Sequence, residues 1–335
     1  QWFPVFLGVH TVQDVHRRRT ANLMRTAVFL QIGSEHMHAI DELCGCVEKV
    51  AGVSRDTGGA LDVHVSLVDQ ASPPKVLARL QELRRSLEAT AASVHVLPVA
   101  NGGADVLPFL RQLAESQQRR RSYDLILKIH TKTDATWRER SLASLCGSAE
   151  QVHSLFSAFK ADPMLGLVAP QGTVIHNGST AASVWSHLLQ RYYTNATDRI
   201  AAATFDPQTL RQMRALDRLL FPGSARFDRS IVAAGTMFWM RFEALRAQHW
   251  IGLASINKTK GWLRFTGRYA DNLKLEHVVE RLLTTRVLAD NWTVAEVVPA
   301  PRPVAFYFPQ YHPTPESEST DFEPTAPLAL AAGYM

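Results

Sequence analysis

From about residue 27 onward, strand-like and helix-like stretches of this 335-residue chain alternate, and that alternation restricts the fold more than any other feature. Short apolar runs rich in branched residues stand at Ala27–Ile32, Asp62–Val68, Val94–Val99, Asp124–Ile129 and Leu165–Ala169. Each has the length of a strand. Helical stretches lie between them at about His36–Val50, Val106–Gln117 and Gln151–Phe159. Another begins at Ser72, Pro73 and Pro74, a capping hydroxyl followed by proline, and carries Val76, Leu77, Leu80, Leu83 and Leu87 at helical spacing. A β-α-β-α-β order predicts an α/β fold of three layers, with a mostly parallel sheet covered by helices on both faces. Farther on, residues 180–227 read as helical but less regular, Gly235–Met240 as a strand and Thr293–Val298 as a last strand. Leu275–Leu288 reads as an amphipathic helix with Leu275, Val278, Val279, Leu282 and Leu283 on one face. Pro299–Pro303 is a linker signal, and after Pro313 no core pattern remains. The expected organisation is an N-terminal extension over 1–24, one domain over 25–298, and a linker with an orphan segment over 299–335.

A hydrophobic content of 46% is enough for a sizeable core. The net charge of +5 is spread along the chain apart from Arg17–Arg19, Arg84–Arg85 and Arg119–Arg121, a poor signal for nucleic acid. It suits an anionic small substrate, an anionic membrane surface, or a merely solvated exterior. Three cysteines give no disulfide framework, and Cys44 and Cys46 read as small buried residues of a helix. No stretch approaches the roughly 20 apolar residues of a membrane helix. Asn177, Asn195, Asn257 and Asn291 each open an N-x-[ST] triplet, which keeps a secretory lumen as an alternative.

Four segments concentrate chemistry. The buried-strand pattern Leu125–Ile129 ends abruptly in His130, Thr131, Lys132, Thr133 and Asp134. Polar groups packed there are costly unless something binds, and in open α/β sheets ligands sit beyond the carboxyl ends of strands. Lys132 and His130 suit a diphosphate, whereas His130 with Asp134 suits a metal. Asn101–Leu110 follows a strand and opens a helix, with Gly102 and Gly103 allowing close backbone approach. Asp105 there is either the helix cap or a ligand for a sugar hydroxyl. Gly235, Phe238 and Trp239 form either core or a platform for a sugar. His277, Glu280 and Arg281 share a helix face, either a solvated ion-paired face or a general base with its partners, and Asp271 lies just upstream.

Together and in this order, the segments resemble the rhamnan synthesis protein F family of bacterial polysaccharide glycosyltransferases. The matching residues are Asn101, Gly103, Asp105, Pro108 and Phe109; Lys128, His130, Thr131 and Lys132 with Trp137 and Arg138; Gly235 to Trp239; and His277, Glu280 and Arg281. The segment Arg268–Lys274 departs from the family's D-G-T, having Asp271, Asn272 and Leu273. Val304–Ser317 resembles the opening of a separate glycan-biosynthesis domain often fused behind such transferases.

The resemblance implies a single-domain nucleotide-sugar transferase fold (GT-A-like) and a glycosyltransferase, a rhamnosyltransferase above all, acting in the assembly of cell-surface polysaccharide such as lipopolysaccharide or cell wall. Glu280, Asp271 and His277 are then the catalytic candidates. Asn101, Gly103, Asp105, Lys128, His130, Lys132 and Arg281 would bind the donor, and Gly235, Phe238 and Trp239 the acceptor sugar. No metal is required by this reading, with Asp134 and magnesium as the alternative. The expected partners are a nucleotide-sugar and a glycan or lipid-linked glycan acceptor, with no nucleic acid, peripheral membrane association, and a further domain of the same polypeptide. The expected location is the cytoplasm or the cytoplasmic membrane face, or the Golgi lumen in a eukaryote. The rivals are a non-catalytic glycan-binding or scaffold module and a glycoside hydrolase, which needs paired carboxylates.

Overall fold

Runs of Val, Ile and Leu with no polar face can be satisfied only by burial on both sides, and the sheet provides it. The computed structural model describes residues 24–33, 39–68, 74–88, 92–100, 102–131, 134–176, 205–255, 275–297 and 306–307. In chain order the strands are β1 (Arg25–Ile32), β2 (Ala60–Val68), β3 (Ser93–Val99), β4 (Leu125–His130), β5 (Leu165–Pro170), β6 (Val174–His176), β7 (Ile231–Ala233), β8 (Phe238–Arg241), β9 (Thr293–Val297) and β10 (Phe306–Tyr307). The main sheet runs β10-β9-β5-β8-β4-β1-β2-β3, and β6 pairs with β7 separately. The pairs β3-β2, β2-β1, β1-β4 and β5-β9 are parallel. β8 is antiparallel to both its neighbours, as β10 is to β9.

The pleat sorts the core into two layers. Ala27, Phe29 and Ile126 face one side, where they meet α3 (Val106–Gln118), α6 (Pro207–Leu220) and α9 (Leu275–Ala289). Val28, Leu30, Leu125, Leu127 and Ile129 face the other. There they meet α1 (Ile40–Asp56), α2 (Pro74–Glu88), α4 (Ala135–Cys146) and α5 (Ala149–Ala161). Two short helices, α7 (Phe242–Leu245) and α8 (Ala247–Trp250), follow β8. The three-layer, mostly parallel α/β architecture is thus the one the alternation predicts.

Several expectations are corrected. Helix α4 was not anticipated from sequence, because its apolar positions form no clear stripe. It is held instead by buried Arg138, whose guanidinium meets Glu42 of α1 at 2.9 and 3.3 Å. The cysteines are not merely small buried residues: Cys46 of α1 and Cys146 of α4 form a disulfide, with Cα atoms 5.3 Å apart, and Cys44 remains a buried thiol. Burial pushes the Cys44 thiol up to about 12, against the lowering by Arg79, so it is inert as a nucleophile.

Helix α9 has no solvated polar face. Glu276, Arg281, Thr284, Thr285 and Arg286 are all buried along with its apolar residues. The threonines pair with the open edge of β7: Ile231 N–H donates to Thr285 Oγ1 at 3.0 Å and Ala233 N–H to Thr284 Oγ1 at 3.1 Å. Finally, Phe306 and Tyr307 are not an orphan strand, since they pair with Val297 and Glu296 at the sheet edge.

Candidate functional site

The strand expected over Gly235–Met240 begins only at Phe238, because Gly235 and Thr236 turn left-handed, with φ of 82° and 49°. A β-branched residue in that region is strained and persists only when its surroundings hold it. Charged side chains from three distant segments do so. Lys128 Nζ donates to Thr236 O at 2.9 Å, and the His130 ring faces Gly235 O through Nε2 at 2.7 Å. Gly235 N–H donates to Glu280 Oε1 at 3.0 Å, and Thr236 Oγ1 donates to Asp105 Oδ2. His130 Nδ1 also meets a carbonyl, that of Thr131, at 2.9 Å.

Asp105 occupies the centre. It stands at the start of α3, yet its side chain makes no capping bond. It turns instead to Lys128 Nζ at 2.5 Å and lies 3.8 Å from His130 Nε2. Burial works to raise its carboxyl, but Lys128, His130 and the two hydrogen bonds outweigh that and hold it far below the usual carboxylate range. The preceding turn is itself left-handed at Gly103 and Ala104, with φ of 67° and 49°. Two strained turns therefore face each other across one buried ion pair.

Between them opens a cavity of about 180 Å³. One wall is the Ala104–Val106 turn, another Ala234 and Gly235, a third the first turns of α9 with Glu276, His277 and Glu280; Trp137 completes it. Trp137 is placed by the start of α4, where its backbone N–H donates to the Asp134 carboxylate at 2.9 Å. His277 Nδ1 stands 3.6 Å from Glu280 Oε2, and Arg281 donates to His277 O at 2.9 Å. Burial pushes the Glu280 carboxyl up, but His277 and Arg281 more than offset it, so the group lies below its ordinary value. Glu280 is a carboxylate at neutral pH.

Of the expected residues, Asp105, Gly235, His277 and Glu280 line the cavity; Lys128 and His130 do not, but hold Asp105 and the Gly235–Thr236 turn, and Arg281 holds the His277 carbonyl. Asn101, Lys132 and Asp271 lie outside the described residues. Phe238 and Trp239 are corrected: they are 1% and 0% exposed, in opposite layers of the core, and no sugar can stack on them. The aromatic that does face the cavity is Trp137, which sequence reasoning noted without a role. Its signal was its position, three residues beyond a capping aspartate at a strand end. Glu276 was missed altogether, although it lies one turn before Glu280. Asp134 caps α4, and among the described residues no group of three or more His, Cys, Asp or Glu is arranged to hold a metal.

Fold and site together define an α/β protein with a small polar cavity beyond the carboxyl ends of its parallel strands. The sequence profile of the family called rhamnan synthesis protein F matches residues 76–292, and the chain belongs to that family. The family connects it with polysaccharide synthesis. The chain is also 31% identical over 183 residues to the uncharacterized protein WxcX of Xanthomonas campestris pv. campestris, in strains B100 and ATCC 33913. That match covers 51% of this chain and 21% of the relative, so the chain spans about a fifth of the length of these curated relatives. No helix among the described residues is long and apolar enough to cross a membrane.

Proposed function

We propose that this domain is a glycosyltransferase of the GT-A-like type, transferring a sugar, rhamnose in our reading, from a nucleotide-diphosphate donor to a growing surface polysaccharide. The observation that carries the reading is convergence: four segments far apart in sequence meet at one cavity, and they clamp a strained turn there. The cavity is smaller than the roughly 300–1,000 Å³ of sites for drug-sized ligands, and suits one sugar ring. Trp137 offers an apolar face, and carboxylates accept hydrogen bonds from hydroxyls. Asp105, Glu276 and Glu280 make the cavity hostile to a diphosphate, which in this reading lies outside it, with Lys132 as its cation. Lys128 and His130 act through Asp105 and the Gly235–Thr236 turn as positioning residues. Val304–Ser317 belongs to the same proposal as the start of a further domain.

Glu280 is our candidate for the group that takes the acceptor hydroxyl's proton, with His277 beside it. Glu280→Gln keeps the shape and removes the charge. Turnover should fall by a factor on the order of 10²–10⁴, with donor binding and folding retained. Near-normal turnover in that variant, with His277→Gln inactive, would move the role to the histidine. The hydrolase rival needs an acid with a raised pKa, and both Asp105 and Glu280 are shifted the other way. The non-catalytic module is favoured by one observation, that Lys128, His130, Asp105 and Thr236 are turned towards one another. A panel of nucleotide-sugars separates the two. Binding without turnover on any acceptor would establish the module.

A further inference from the structure

Helix α6 buries Thr209, Gln212, Met213, Leu216 and Asp217 against the domain. Its outer face carries Arg211, Arg214 and Arg218, all exposed. Their spacing of three and four residues places them in one line along the helix. None of them, nor exposed Arg226 in the following loop, has a carboxylate within ion-pair distance among the described residues. The acids of this segment are mostly used elsewhere. Asp206 caps the helix, accepting from Gln208 and Thr209, and Asp217 meets buried Arg286 at 3.3 Å. Asp228 is exposed on the loop. Apolar groups are exposed at the same end of the helix: Leu219 is 57% exposed, and Pro222 and Ala225 of the following loop are exposed too. The end of the helix is rigidly seated, because Arg286 of α9 also lies 5.1 Å over the Phe221 ring.

A row of exposed guanidinium groups on a helix that ends in exposed apolar groups matches one kind of partner closely. An anionic bilayer presents phosphate charge at its surface and hydrocarbon just beneath it. A soluble polyanion satisfies the arginines but leaves Leu219 and Pro222 in water. We infer that the outer face of α6 and the 219–226 loop dock the protein on an anionic lipid surface. Docking there would hold α9, and with it the cavity wall, beside the membrane. That benefit to a lipid-linked acceptor rests on the transferase reading, whereas the docking itself rests on this surface alone.

The test is flotation of the full chain with vesicles of phosphatidylglycerol and phosphatidylcholine, against phosphatidylcholine alone. Binding should require the anionic lipid and weaken with salt. Arg214→Ala with Arg218→Ala should weaken it roughly 30-fold, taking the usual worth of a basic residue near a charged membrane. The double lysine variant should retain most of it, and Leu219→Ser should weaken it with the charges intact. All variants should keep the parent melting temperature, since these side chains are exposed. Equal binding to neutral vesicles, or an unaltered affinity in the double alanine variant, would overturn the proposal. So would capture by dextran sulfate with no vesicle binding, which would make the partner a soluble polyanion. Turnover on a soluble acceptor is measured alongside. Vesicle binding with no turnover upholds the docking surface and sinks only the transferase reading.

Discussion

Two buried polar clusters sit on the same face of the sheet, and they differ in what surrounds them. The first is the Asp105 cluster at the carboxyl ends of the strands. The second lies toward the other end, where Asp62 and His64 of β2 pair in register with Ser93 and His95 of β3. There His64 Nε2 meets the Tyr123 hydroxyl at 2.8 Å, the His64 ring stacks on Phe29 at 5.0 Å, and Ser93 donates to Asp62. Both clusters hold an ionised aspartate against the cost of burial, Asp62 by Ser93, Arg121, Tyr123 and Arg25. The second cluster, however, is built on regular strands. The first is built on two left-handed turns and opens on a cavity. Buried polarity alone therefore marks neither function nor structure; the combination with strained backbone and open space distinguishes the two.

The largest expected effect tests whether the first cluster is a closed ion pair. Asp105→Ala leaves the Lys128 charge buried without its carboxylate and should cost about 3–5 kcal/mol in urea unfolding. Adding Lys128→Met should recover much of it. A loss under about 1 kcal/mol would show that the pair is open to water, and the contrast between the clusters would fail.

The second test uses pH. Burial, assisted by His95, pushes His64 down to about 4. Its unfolded value is near 6.5. Between those values the unfolded chain binds more protons than the folded one, so stability falls as pH drops. His64 alone should remove about 3 kcal/mol from pH 7 to pH 4. His64→Gln should flatten that slope in unfolding curves measured across this range. His95, His176, Asp105 and Glu280 are also held below their ordinary values, so they add loss in the same direction, the carboxyls mainly near pH 4, and the difference between parent and variant isolates His64. An unaltered slope would mean that His64 titrates freely in the folded state. The smallest effect is Ser93→Ala, which should cost about 1 kcal/mol. It should also leave the proposed sugar transfer and nucleotide-sugar binding untouched. A loss of turnover there would join the two clusters functionally.

The layers were legible in the sequence because continuous apolar runs and helical spacing state them directly. Six strands of the main sheet and most of their helices fall within a few residues of their expected places. What escaped was set by tertiary contacts. Helix α4 is tied by Arg138 and a disulfide rather than by an apolar stripe. Helix α9 reads as amphipathic, but its polar side satisfies the edge of β7 and the buried acids around it. At the site, Asp105, Lys128, His130 and Glu280 were recognisable as chemistry-bearing residues. That they hold one another, and hold Gly235 and Thr236 in a left-handed turn, depends on distances no linear pattern encodes. Trp239 reads as a sugar platform only until its ring is seen against Phe156, with its indole N–H on Leu145 O at 2.9 Å.

Strand β8 is the keystone of the main sheet, since Lys128 pairs with Phe238 on one side and Val168 with Trp239 on the other. The half of the sheet formed by β3, β2, β1 and β4 is complete in the chain long before β8 exists. At roughly 5–20 residues per second of synthesis, the growing chain waits on the order of ten seconds for β8 and α9. Until they arrive, the Asp105–Lys128 pair has no turn to clamp and the cavity has lost two of its walls. A ribosome-bound chain stopped before α9 therefore has a partly built sheet but no complete cavity. Joining such distant segments also makes for slow folding. The cavity should then close late, with the final strands, rather than with the first compact half of the domain.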